Sequence, residues 1–126
     1  MNCPCGKGRY ETCCGRFHEG KELTGNAEDL MRSRYSAFVL KNEAYLLSTW
    51  HPSSRPQKPL FNDDPTQWMG LTVKQFSEAS DRLSAAVEFV AIYKINGKAH
   101  RLHEISAFVY VDKQWLYVDG QFPKIK

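Results

Sequence analysis

With 126 residues, 42% of them hydrophobic and 25% charged, the chain is sized for one domain with a real core, and its composition excludes an extended disordered protein. A net charge of +3, from 17 basic against 14 acidic residues, is too small for the concentrated basic stripe of a dedicated nucleic-acid binder. No apolar run approaches the roughly 20 residues of a membrane span, and the N-terminus runs straight into cysteines instead of an export signal, so a cytoplasmic location with reduced thiols is expected.

All four cysteines fall in the first fourteen residues, as Cys3-Pro4-Cys5-Gly6 and the adjacent pair Cys13-Cys14. A Cys-x-Cys hook, a glycine-containing loop and a second pair of thiols supply the ligands of one tetrahedral site, with metal–sulfur bonds of about 2.3 Å for Zn²⁺. Zinc is the expected ion. Iron is the alternative, because thiolate sites do not select strongly by affinity. Four protein ligands leave no coordination position open, which marks a structural site rather than a catalytic one. The competing reading is a reduced structural pair or a redox disulfide, and His18 is a spare ligand if Cys13 or Cys14 does not bind. Residues 1–20 hold no apolar periodicity, so a metal is expected to fold them. They are read as one unit and residues 21–126 as a second.

Residues 26–50 read as helix. Ala27, Leu30, Met31, Arg34, Tyr35, Phe38 and Val39 keep helical spacing, and Asn26 is placed to cap them. Asn42 offers a second cap before Glu43–Trp50, and the run from His51 to Pro56 ends the helix. Residues 57–67 form a loop. Strands are expected at 68–79, 83–95, 98–111 and 114–119. Asn96-Gly97 is a strong hairpin signal, and Asp112-Lys113 is a weaker one.

The Asn-Gly turn sets the register: Ile95 opposite Lys98, Phe89 opposite Glu104, Val87 opposite Ser106. In the next hairpin Val111 is expected opposite Gln114, Phe108 opposite Tyr117 and Ser106 opposite Asp119. One sheet face then holds Phe89, Tyr93, Phe108, Tyr110, Trp115 and Tyr117, with Glu104, Ser106 and Asp119 among them. The other carries Glu88, Val90, Ile92, His103, Ile105, Val109 and Leu116. That second face is either a subunit interface, giving a homodimer, or is covered by loop 51–67. Arg34 sits on the core face of its helix, where a charge needs a partner, and Glu104 and Asp119 are the natural candidates. Such an arrangement is either a structural ion pair or the floor of a ligand pocket, with Trp50 and His51 at its mouth. His100 and His103 point to opposite faces and make no metal site. Lys124 and Lys126 are too few to argue for nucleic acid.

The cysteine segment resembles the SEC-C motif, the small zinc-binding tail also found on the bacterial preprotein translocase ATPase. Lys7 stands where that motif has serine, and the gap between the pairs is slightly shorter. The segments Leu30-Met-Arg-Ser-Arg-Tyr-Ser-Ala-Phe38, Tyr45-Leu-Leu-Ser-Thr-Trp-His-Pro52, Leu102-His-Glu104 and Trp115-Leu-Tyr-Val-Asp-Gly120 resemble the YchJ family of small bacterial proteins. The resemblance implies a nuclear-transport-factor-2-like fold, with helices in the concavity of a curved sheet. This agrees with the α+β plan read from the elements, helices first and an antiparallel sheet after. It brings no reaction with it. The expected function is that of a binding module: the knuckle for a protein or ribosomal partner, the cone for a small ligand. An enzyme using Arg34, Glu104 and Asp119, or an oligomer working through the second sheet face, are the alternatives.

Overall fold

The computed structural model describes residues 1–57, 59–61 and 64–123. The basic tail residues Lys124 and Lys126 lie outside them. After a short 3-10 turn at Tyr10–Thr12 come α1 (Cys14–His18), α2 (Ala27–Leu40) and α3 (Glu43–Ser48), then β1 (Gln67–Glu78), β2 (Ser84–Ile95), β3 (Lys98–Val111) and β4 (Gln114–Gln121).

Helix α2 starts where the sequence says it should. The Asn26 side chain accepts a hydrogen bond from the Asp29 N–H at 2.8 Å, and Glu28 and Asp29 place negative charge on the first turn. Asn42 caps α3 in the same way, accepting from the Tyr45 N–H at 3.1 Å. Helix α3 stops at Ser48 and does not reach Trp50, because β4 captures the backbone that follows. Tyr117 donates to the Thr49 carbonyl at 2.8 Å, and His51 donates to the Tyr117 carbonyl at 2.8 Å, so Trp50 bridges to Tyr117 in parallel. This short pairing also covers part of an exposed sheet edge.

The sheet is an antiparallel meander in the order β1-β2-β3-β4. Asn96 and Gly97, with φ of 52° and 80°, make the left-handed pair that a two-residue hairpin needs, and Asp112 and Lys113 repeat it with 50° and 68°. The β2–β3 register is the expected one throughout. The β3–β4 register is as expected from Val111↔Gln114 to Phe108↔Tyr117 and then slips: a bulge sets Ser106 opposite Gly120 and Ala107 opposite Asp119. One extra residue moves every later side chain to the other face.

Helix α2 lies on β1, β2 and β4. Leu30, Met31 and Tyr35 pack with Val87, Phe89, Ala91, Phe108 and Trp115, and Cys3, Cys5 and Cys14 belong to the same buried cluster. The described part of loop 51–66 packs on the helices. Phe61 meets Phe38 edge-on at 6.0 Å, Leu60 N–H donates to Glu43 at 2.8 Å, and Lys41 donates to the Asp64 carbonyl at 3.4 Å.

Candidate metal centre and cone cavity

The N-terminal segment wraps around its sulfurs through backbone bonds. Cys3 N–H donates to the Gly8 carbonyl at 2.7 Å and Gly6 N–H to the Cys3 carbonyl at 3.0 Å. Gly6 turns with a φ of 89°, a conformation open to glycine at little cost. Asn2 and Arg9 then pair as a single antiparallel bridge, and α1 delivers Cys14 from the other side.

The four Sγ atoms all lie within 4.8 Å of one another, and Cys5 and Cys13 are 3.6 Å apart. Tetrahedral Zn–S bonds would set the sulfurs about 3.8 Å apart, so these residues fit one tetrathiolate ion. The thiol chemistry points the same way. The Cys5 thiol is lowered to about 5, chiefly by its hydrogen bond with Cys14, whereas burial pushes Cys13 up to about 11 and the bond to Cys5 pushes Cys14 up. Four thiols this close resist carrying more than one negative charge between them; a dication held by Cys3, Cys5, Cys13 and Cys14 would lift that resistance and let all four bind as thiolates.

A second layer fixes this cluster to α2. Arg32 donates to the Cys5 carbonyl at 3.1 Å while paired with Glu28 at 2.8 Å, and Ser36 Oγ lies 3.5 Å from Cys3 Sγ. His18 is not a ligand, because both ring nitrogens are engaged. Tyr10 O–H donates to Nδ1 at 2.6 Å and Nε2–H donates to the Ser33 carbonyl at 2.8 Å. Burial lowers the His18 pKa, which keeps this neutral tautomer in place. Gly15 permits the contact: a Cβ there would stand 2.6 Å from the Tyr10 carbonyl oxygen. Nothing in the sequence pattern signals this Tyr10–His18–Ser33 chain, since it depends on how α1 folds back.

Inside the cone is a cavity of about 140 Å³, walled by Tyr35, Phe38, Trp50, Trp68, Leu102 and Phe108 among others, with Arg34, Glu104 and Ser106 as its polar members. Arg34 is 5% exposed, and burial lowers its pKa to about 10. The expected ion pair with Glu104 or Asp119 does not form. The Arg34 Nη1 donates instead to the Leu46 carbonyl and to Thr49 Oγ1, each at 2.8 Å, so the guanidinium satisfies the carbonyl end of α3. Its flat faces meet Tyr117 and Trp50 at 4.5 and 4.8 Å from the ring centroids.

Glu104 is held from its own side of the cavity. Ser106 Oγ donates to it at 2.5 Å and Tyr117 O–H at 3.5 Å. Burial and the Glu104 charge raise the Tyr117 pKa, so the phenol stays a donor. Gly120 makes room for this carboxylate, because a Cβ there would collide with the Glu104 carboxyl group. Trp50 contributes its ring to the wall, and its Nε1–H is buried with no hydrogen-bond partner among the described residues. Arg34, Trp50, Glu104 and Ser106 therefore do come together. Asp119 and His51 do not join them: the bulge leaves Asp119 exposed and opposite Ala107, and His51 Nδ1 accepts from Ser53 Oγ at 2.8 Å in the loop. Tyr117 and Gly120 are the members that the sequence did not single out as site residues. Alternation places Tyr117 on the right face, but only the slipped register shows what Gly120 is for.

A larger groove of about 380 Å³ separates α1 from the cone, lined by Phe17, Leu23, Tyr45 and Trp115 among others, and Leu23 is 65% exposed beside it. No described helix is long and apolar enough to cross a membrane.

Comparison with known proteins places this arrangement. A family model described as the YchJ middle NTF2-like domain matches residues 26–120. A UPF0225 protein of Cupriavidus metallidurans is 54% identical over 125 residues, covering 94% of this chain and 86% of its own length. Another, from Ralstonia nicotianae, is 50% identical and covers 94% and 89%. The solution structure of a SEC-C motif containing protein from Rhodopseudomonas palustris superposes with a TM-score of 0.84 at 30% identity, covering 98% of this chain and 100% of that one. A crystal structure of a SEC-C motif containing protein from Psychrobacter arcticus gives 0.80 at 28% identity, covering 100% and 85%. The family model begins after the cysteines, while the structural matches span them as well. With the cone matched in sequence and the knuckle matched in structure, the chain belongs to the YchJ-like UPF0225 family.

Proposed function

We propose that this protein is a zinc-binding module. Its knuckle is a closed structural site that presents a surface to a protein partner, and its cone takes a small ligand. The observation that carries the reading is the set of four sulfurs within 4.8 Å, three of them buried in the core of the cone. Zinc is preferred to iron because a closed tetrathiolate with no free position suits an ion that does no redox chemistry. The reduced thiols that the site requires go with a cytoplasmic location.

The charge pattern of the knuckle favours protein over ribosomal RNA as partner. Arg9 lies 3.8 Å from Glu11, Lys21 3.0 Å from Glu19 and Arg16 3.3 Å from Glu22, so most of the local positive charge is already balanced. An enzyme built on Arg34, Glu104 and Asp119 loses support, because Asp119 lies outside the cavity. A homodimer through the outer sheet face is a further reading, motivated by the part-exposed Ile92 there, and a monomer in sedimentation at high concentration would dispose of it.

Elemental analysis of protein purified without added metal tests the central claim. One zinc per chain is expected, lost on Cys5→Ser or Cys14→Ser. Iron with visible charge-transfer absorption would replace zinc in this reading, and a metal-free, fully folded protein would end it. For the knuckle surface, partners captured by the wild type should be lost with Cys13→Ser plus Cys14→Ser.

A further inference from the structure

The interior of the cone holds a cation and an anion that do not touch. Arg34 spends only Nη1 on the Leu46 carbonyl and Thr49, so Nη2 and Nε make no hydrogen bond among the described residues. Glu104 is approached by two hydroxyl donors, Ser106 and Tyr117, and makes no ion pair among the described residues. Arg34 can only donate, and an ionised Glu104 can only accept. A molecule that reaches both ends must carry an acceptor for the first and a donor for the second.

Size and walls narrow the choice. A cavity of about 140 Å³ is comparable to the engineered 150 Å³ cavity known to admit benzene, so the occupant is a single ring. Tyr35, Trp68 and Phe108 offer aromatic surfaces to a flat one. Charge narrows it again. A carboxylate would put a second anion beside Glu104, and an amidinium would put a second cation beside Arg34. A plain hydrocarbon would leave the buried polar groups unanswered.

We propose that the cone binds a neutral monocyclic lactam of the pyridone or pyrimidinone type, its carbonyl toward Arg34 and its ring N–H toward Glu104. This rests on the reading of the cone as a small-ligand pocket.

The test titrates 2-pyridone, uracil, benzoate, benzamidine and toluene into ¹⁵N-labelled zinc-loaded full-length protein, following the Trp50 indole N–H and the Phe108 and Tyr117 amides. At least one lactam is expected to shift these signals and to bind about tenfold or more tightly than the other three probes. Glu104→Leu removes the acceptor and should weaken the lactam about tenfold relative to toluene. If Glu104→Leu does not fold, the ranking of the five probes on the wild type decides the matter. Toluene, benzoate or benzamidine binding as tightly as the lactams would overturn the lactam assignment and leave the cone a ligand pocket. No probe binding at millimolar concentration would overturn both.

Discussion

The knuckle and the cone reach order by different means, although their buried side chains form one cluster. The cone is ordered by repetition. Apolar residues recur along α2, side chains alternate along four strands, and two left-handed turns fix which residues face inward. The knuckle has almost none of this, with one five-residue helix, one 3-10 turn and one isolated bridge. Its order comes from four sulfurs converging on one point. Repetition tolerates the loss of any one member, whereas convergence on an ion does not.

Removing the metal should therefore give the largest effect. Structural zinc is worth roughly 10–16 kcal/mol in isolated zinc-finger peptides near neutral pH, and Cys3, Cys5 and Cys14 are shared with the core of the cone. Chelation, or Cys14→Ser, is expected to strip amide-exchange protection from residues 1–20 and lower the melting temperature of the whole chain. Knuckle amides that stay protected without metal would mean that the second layer around Tyr10, His18 and Arg32 holds the segment unaided.

In the cone the matching deletion is Phe108→Ala. Phe108 is 1% exposed, and truncation should cost about 3–5 kcal/mol in a denaturant titration. Zinc should remain bound below the transition. Release of zinc from the folded variant would show that the two regions are less separable than their means of order suggest.

A smaller effect follows at Gly120, where the cone does depend on one contact. A methyl group there meets the Glu104 carboxyl group, which Ser106 and Tyr117 hold in place. Gly120→Ala should cost about 1–3 kcal/mol by overpacking. The penalty should shrink in combination with Glu104→Ala, because the second change removes the obstacle, and a double-mutant cycle reads the coupling. Additive costs would place the strain in the backbone of β4 instead.

These unequal dependences explain how far each part was legible in the sequence. The convergence of the four cysteines, both asparagine caps, the element order and the β2–β3 register follow from local chemistry or strict alternation. The partner of Arg34 was not legible, because its hydrogen bonds go to Leu46 and Thr49, at the end of α3, and that geometry exists only after α3 stops short. The Tyr10–His18–Ser33 chain is hidden for a similar reason: it crosses between segments that share no pattern. Asp119 shows the weakness of alternation itself. A count by twos is right until one bulge, and then wrong for every residue beyond it.

Asp119 also supplies the smallest effect and the cleanest contrast with Glu104, fifteen residues earlier and on the opposite face of the sheet. Its side chain is exposed and faces away from Arg34, so Asp119→Asn should change stability by no more than about 0.5 kcal/mol. Occupancy of the cone by any probe should be unchanged, whereas Glu104→Leu should move it. Thermal melts and the Trp50 indole signal read both quantities on the same samples. A loss of binding in Asp119→Asn equal to that of Glu104→Leu would put the unslipped register back, with Asp119 opposite Ser106 and a second carboxylate inside the cone. Equal silence from both variants would instead take Glu104 out of the cavity's chemistry and leave Arg34 as its charged contact with a ligand.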